Sequence, residues 1–287
     1  MRPLFGVDIT EDKENLKTAA DLLYTEKRIS PEKEKEIDDR TAYFDVIRKK
    51  MVLRPPLPMI KTIGGYFAIL SAIMTMTMGG AAKSTRPALL VIAFLGLAVW
   101  GGLTYLEKKT RLAVLSSPDL ASYTADMKKL VESAYEDLEV PAYAYDTDII
   151  LHRYQMKDGK AVPKAPALAP TAFFNAPTKV FKSGDNLSIS DTATRYDIPL
   201  SEIKGITRVD KRMTLPSWNK DVSPRSPEYE KYGLKIGNNM LTMKYHYIID
   251  IKHGNDEYGI LIPSYEIETF KFLLNLTPSD GNTENKA

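Results

Sequence analysis

The side chains able to do chemistry are few and scattered. His152, His246 and His253 are the three histidines, and cysteine is absent. Thiolate nucleophiles, disulfides, zinc fingers and iron–sulfur sites are thereby excluded. The sequence holds no His-Glu-x-x-His, no Gly-x-Ser-x-Gly, no phosphate-cradling glycine loop and no acidic run at metal-binding spacing. Each of those motifs works because fixed offsets aim several groups at one atom. His246 falls on the polar side of an alternating run and His253 in a turn, so both are expected to be solvated, while His152 stands beside Arg153 without a ligand set. No catalytic, metal or cofactor residue is assigned, no cofactor is expected, and an enzyme is not the expected class.

Two groupings have binding character. Lys204, Arg208, Lys211 and Arg212 gather around Asp210, with Lys179 and Lys182 as further candidates. They suit a phospholipid headgroup or an acidic protein partner, or else form a solvated edge strand whose charges oppose aggregation. Trp218, within Leu215-Pro-Ser-Trp-Asn219, is either an interface anchor or a plug at the end of its own domain. Nucleic acid is not an expected partner: a net charge of +2 and a pI near 8.4 lack the concentrated basic face that binding needs.

The elements that position these residues begin with a membrane hairpin. The 287-residue chain has a mean hydropathy of −0.26, so most of it belongs in water. Yet residues 62–82 and 87–106 carry no charge. At about 1.5 Å per residue each run matches a hydrocarbon core of roughly 30 Å. Their apolar character on all sides argues against surface helices. The short connection Lys83-Ser-Thr-Arg86 makes the two helices antiparallel neighbours, and Ala68/Ala72 and Ala98/Gly102 offer small-residue pairs for close approach. Arg48, Lys49, Lys50, Arg54 and Lys61 precede the pair, and Lys108, Lys109 and Arg111 follow it. Positive flanks stay inside, so the protein is expected in the cell membrane, multi-pass, with both termini cytoplasmic. Tyr66, Phe67, Trp100 and Tyr105 would form one cytoplasmic aromatic belt. The charged first sixty residues lack the pattern of a cleaved signal peptide, so the first apolar span is expected to act as the membrane signal.

Ser30-Pro31-Glu32 and Ser117-Pro118-Asp119 are helix starts, with a hydroxyl, a first-turn proline and an acid facing the dipole. The first helix carries Ile37, Phe44, Ile47 and Met51 along one side and ends at Arg54-Pro-Pro-Leu-Pro58; the second carries Leu120, Met127, Leu130, Ala134 and Leu138. These stripes pack on each other or on the distal domain, or the stripe of residues 31–51 lies on the membrane surface or recruits a partner helix. A further short helix is expected after Thr10, with Leu16, Ala20 and Leu23 on one face.

Beyond the proline–alanine stretch Val162–Pro170, strand signals dominate. Residues 187–190 and 193–198 alternate, joined by Asp191-Thr192; residues 241–251 form the clearest strand; His253-Gly-Asn-Asp256 is a hairpin turn leading to Tyr258, Ile260 and Ile262. Ser264 is expected to cap a last helix carrying Ile267, Phe270, Leu273 and Leu274 inward. Residues Asn186 to Ile206, including Ile198-Pro-Leu-Ser-Glu-Ile-Lys-Gly205, and Tyr245 to Leu274 carry a resemblance to bacterial pleckstrin-homology-like domains, which are often joined to a two-helix membrane hairpin. It covers about the last hundred residues; residues 214–231, with three prolines, form a longer insertion than that pattern expects. The resemblance implies a small curved sheet closed at one end by a helix, and no specific ligand.

The expected fold class is α+β membrane protein. The expected plan is a cytoplasmic helical arm (1–58), a transmembrane hairpin (59–107), a cytoplasmic helix (108–141), an antiparallel pleckstrin-homology-like domain closed by one helix (142–278), expected to fold alone, and a disordered tail (279–287). The expected function is that of a membrane-tethered, non-enzymatic adaptor or scaffold whose β domain binds protein or lipid. The alternative is an accessory subunit of a membrane transport or secretion complex.

Overall fold

The computed structural model describes residues 1–10, 18–77, 85–164, 173–216, 231–237 and 240–280. The chain divides into two compact units, Met1–Ser30 with Ser133–Ala287, and Pro31–Glu132. It is α+β, with six α-helices among the described residues.

In the sheet unit, β1 (Arg2–Pro3), β2 (Gly6–Asp8), α1 (Ala19–Leu23) and β3 (Thr25–Arg28) precede the main strands. These are β4 (Tyr145–Lys157), β5 (Lys160–Pro163), β6 (Phe173–Ser183), β7 (Asn186–Ser190), β8 (Thr194–Pro199), β9 (Ile203–Val209), β13 (His246–His253) and β14 (Asp256–Pro263). β4, β6, β7 and β8 run as an antiparallel meander, and β9, β13 and β14 form a second antiparallel set. Leu261 opposite Ile150 joins the two sets. The turns follow from local chemistry. The Asp191 carboxylate accepts the amides of Ala193 and Thr194 at 2.7 and 2.6 Å, and Gly254 takes the positive φ (+59°) of the β13–β14 hairpin.

Alternation sends Ile149, Leu187, Ile189, Ile198, Ile206, Ile249 and Ile260 to one face, where the last helix α6 (Ile267–Leu274) closes the core with Ile267, Phe270 and Leu273. The opposite face is covered too. β10 (Met213–Pro216), β11 (Lys235–Gly237) and β12 (Met240–Met243) form a separate small sheet. Its Met213, Leu215, Leu241 and Met243 pack with Ile150 and Leu261 in a second core.

In the helical unit, α2 (Pro31–Lys50) is acidic in its first turn and basic in its last, as the helix dipole favours. α3 (Leu57–Thr77) and α4 (Arg86–Leu115) are long and apolar enough to cross a membrane. They pack antiparallel through Gly64, Ala68 and Ser71 on one side and Ala93 and Gly96 on the other. α5 (Pro118–Asp137) meets α2: the Phe44 and Tyr123 rings stack at 5.6 Å and Arg40 pairs with Asp126 at 3.3 Å. Of the arrangements the sequence left open for these two helices, the structure shows packing on each other.

Several expectations need correction. The helical arm over residues 1–58 is divided. Its first thirty residues belong to the sheet unit: β1 lies parallel to β14, β2 parallel to β4, and β3 antiparallel to β8. Apolar side chains drive this, since Leu4 is fully buried and Phe5, Ala20 and Tyr24 join the main core. The run 241–251 is two strands in two sheets, broken at Lys244 and Tyr245. The tail does not begin as disorder, because β15 (Ser279–Asp280) lies parallel to β9. Ser264 does not cap the last helix. A 3-10 turn intervenes, and the buried hydroxyl instead donates to the Tyr232 carbonyl at 3.5 Å. Of the proposed small-residue pairs, Ala68 lies on the helix seam, while Ala98 and Gly102 face outward. The expected helix start at residues 11–17 and most of the stretch 162–170 lie outside the described residues.

Candidate functional site

Along the helical pair, large apolar side chains are exposed on both helices. Away from the seam, Tyr66, Ile69, Phe94 and Met76 are 64, 61, 71 and 85% exposed. Thr75, Thr77 and Thr104 turn their hydroxyls onto the carbonyls of Ser71, Ile73 and Trp100 in their own helices, which removes most of their polarity from the outer surface. At one end of the pair Lys61 pairs with Glu107, and Trp100 packs on Gly65, whose absent side chain leaves the indole its place. Tyr66, Phe67, Trp100 and Tyr105 are all exposed around that end.

Where α4 continues past this end, it forms a cleft of about 420 Å³ with α2 and the start of α5. Ile47, Leu106, Ala113 and Val114 make its apolar floor; Lys50, Lys109 and Asp119 stand around it. Ser117 closes one side, its hydroxyl accepting the Leu120 amide at 3.2 Å as the α5 cap. The positions on α4 follow the offsets i, i+3, i+4, i+7 from Leu106 through Lys109 and Thr110 to Ala113, a single helix stripe. The sequence reading missed this stripe because Lys109 was already explained as a topology signal.

The basic cluster predicted on β9 is divided. A bulge between Asp250 and Ile251 shifts the register of β9, so Gly205 faces Asp250 and Ile203 faces Ile251. Lys204 falls in that bulge, near Asp250 and Lys252, and its ammonium donates to the Ser201 carbonyl at 2.9 Å. Arg208 lies opposite Tyr247, with its guanidinium 4.2 Å from the Tyr245 ring centre and 2.9 Å from Asp210. Lys211 and Arg212 are exposed in the connection to β10. Lys179 pairs with Asp146 at 2.6 Å, on the β4–β6 side. Trp218 lies outside the described residues.

The histidines also depart from expectation. His246 is 4% exposed rather than solvated. After β9 the chain turns back at Lys211, whose backbone meets the imidazole, and burial holds its pKa below the ordinary value. His152 is 9% exposed, 4.4 Å from the Phe173 ring centre, with no partner for Nε2, and burial pushes it down to about 4. His253 is exposed, as expected, but it ends β13 opposite Asp256 and does not lie in the turn itself. It bonds Glu202 through Nδ1 at 3.1 Å, and Glu202 also accepts the Tyr24 hydroxyl at 2.5 Å. Glu266 was not foreseen. It accepts the Asp148 amide at 3.0 Å, and burial lifts it to about 7. His152, His246 and Glu266 are held within the fold, and among the described residues no three His, Asp or Glu side chains gather closely enough to hold a metal ion. No protein-family model matches the chain, and comparison with curated proteins and with solved structures finds no similar protein.

Proposed function

We propose that this chain is a two-span integral membrane protein with both termini cytoplasmic, and that its sheet unit is a pleckstrin-homology-like module acting as a non-enzymatic, membrane-tethered adaptor. One observation carries the reading. α3 and α4 bury only the narrow seam of Gly64, Ala68, Ser71, Ala93 and Gly96 and leave large apolar side chains outward along their length. A soluble chain rarely tolerates a contiguous apolar patch beyond a few hundred Å², whereas a bilayer covers one without cost. The helix of a soluble core would show the opposite pattern, mostly buried. The basic residues on either side of the pair support the orientation.

The module half rests on the order of the sheet unit: a four-strand meander, three further antiparallel strands, then a helix lying over the core. That order supports the resemblance read from residues 186–206 and 245–274. Lys211 and Arg212 are the module's exposed cations next to Arg208, and they suit an acidic protein partner or an anionic headgroup.

Because the chain has no cysteine, single ones report topology cleanly. Ser84→Cys should react with an impermeant maleimide on intact cells; Ser30→Cys and Ser279→Cys should react only after lysis. The chain should also stay in the membrane pellet through an alkaline carbonate wash. Release by carbonate, or labelling of residue 279 from outside, overturns the proposal.

A further inference from the structure

We infer that the cleft among α2, α4 and α5 is a binding site for an anionic phospholipid of the cytoplasmic leaflet. The inference rests on the membrane reading above and names a ligand for the helical unit. Its volume of about 420 Å³ lies within the roughly 300–1,000 Å³ of small-ligand sites. It accommodates a headgroup with the upper part of an acyl chain.

Depth sets the ligand's class. Leu106 is the last residue of the charge-free run, so it marks the edge of the hydrocarbon. Lys109 lies about 4.5 Å further along the helix axis. The interfacial layer is about 5–7 Å thick on each side of the core, so the Lys109 ammonium belongs at the level of lipid phosphates. Lys50, one turn beyond Ile47 on α2, faces the same cleft. Ile47 is 1% exposed, which fixes the floor between the two lysines.

Charge sets the sign. Lys50 approaches Asp119 at 3.8 Å, with side chains 53 and 69% exposed. An exposed pair at that separation is worth little, so Lys50 is free to turn to a phosphate. Lys109 has no ion-pair partner among the described residues. The apolar floor separates a lipid from free phosphate, since an inorganic anion would gain nothing from Leu106, Ala113 and Val114.

The test uses the full chain in mild detergent and native mass spectrometry, with phosphatidylglycerol, phosphatidylcholine or inorganic phosphate added. Each lysine near an anionic headgroup contributes roughly 1 kcal/mol, about fivefold in preference. The wild type should therefore retain phosphatidylglycerol in clear excess over phosphatidylcholine. Lys50→Gln with Lys109→Gln should bring the two lipids close to parity. Ala113→Phe should remove retention of both by filling the cleft without changing charge. The pair Lys49→Gln with Lys108→Gln removes the same charge outside the cleft and should keep the preference. Helical circular dichroism checks that each variant is folded. Parity in the wild type, loss of preference in the control pair, or displacement of the lipid by phosphate overturns the inference. A chain that resists carbonate yet shows parity sinks this inference alone; a chain released by carbonate sinks the membrane reading with it.

Discussion

Glu266 and His152 pull the stability of the sheet unit in opposite directions as pH changes. Glu266 lies between β14 and α6, where burial raises its carboxyl from the ordinary 4.5 to about 7; the negative charges of Asp148 and Asp146 add to the rise, and the bond from the Asp148 amide opposes it. Between those values the folded chain keeps a proton that the unfolded chain has released. Stability therefore falls as pH rises from about 4.5 to about 7, and the loss is complete above that range. Glu266→Gln keeps an acceptor for the amide and removes the charge. In thermal melts it should gain on the order of 2 kcal/mol over wild type at pH 8 and differ least at pH 4.5. An equal gain at both pH values would show that the charge is not the cause. His152 has the reverse sign. Its folded pKa is about 4 against an ordinary 6.5, so the unfolded chain binds the proton first and stability falls as pH drops through that range. His152→Phe, set among Phe173 and Tyr154, should weaken the acid-side loss in the same melts. If it leaves that loss unchanged, acid destabilisation originates elsewhere. Neither effect was legible in the sequence, because an isolated Glu or His carries no mark of its burial. Only the paired strands and the covering helix exclude water there.

The hairpin depends on backbone contact more than on side-chain fit. A Cβ at Gly96 would stand 2.7 Å from the Gly64 carbonyl oxygen and 2.9 Å from the Ala68 nitrogen. Both are backbone atoms, so the helices must separate to admit it. Gly102 has nothing within 4 Å of the same position. Gly96→Ala should therefore cost about 1–3 kcal/mol of stability in detergent melts, the usual range for overpacking, while Gly102→Ala should be neutral. Equal behaviour of the two would place the seam elsewhere. The two helices themselves could be read from charge-free length alone. Their seam could not, because small residues four apart mark a face only once the partner's register is known. Ala68 was named correctly, and Ala98 and Gly102 were not. The same limit split the run 241–251. Alternation continues unbroken through Lys244 and Tyr245, so the period gives the correct inward residues Leu241, Met243, Tyr247, Ile249 and Ile251. It says nothing of the change of partner strand, which sends the first two and the last three to different cores.

At the scale of the whole molecule, the sheet unit is assembled from both ends of the chain. Its N-terminal strands are two to four residues long, too short for periodicity to reveal, and their partners lie more than a hundred residues away. What they supply is large. Leu4 is fully buried, Phe5 meets the Tyr196 ring edge-on at 5.1 Å, and the Tyr24 hydroxyl reaches Glu202. Gly6 runs so close to β4 that a Cβ would stand 2.7 Å from the His152 carbonyl. Burying each large apolar side chain is worth about 1.5–3 kcal/mol. Losing three of them forfeits roughly half of the 5–15 kcal/mol that holds a domain folded. A fragment of residues 142–278, which the sequence suggested would fold alone, should therefore aggregate or expand, leaving the main core open where Leu4, Phe5 and Tyr24 lie. Joining residues 1–30 to residues 133–280 through a glycine–serine linker, with the helical unit removed, should give a soluble, monomeric chain with a mainly β spectrum. Gel filtration and circular dichroism distinguish the two. The joined chain carrying Leu4→Asp and Phe5→Asp should revert to the behaviour of the short fragment, which ties the difference to these side chains and not to length. A short fragment as compact and as stable as the joined chain would mean that the N-terminal strands decorate the sheet without completing its core.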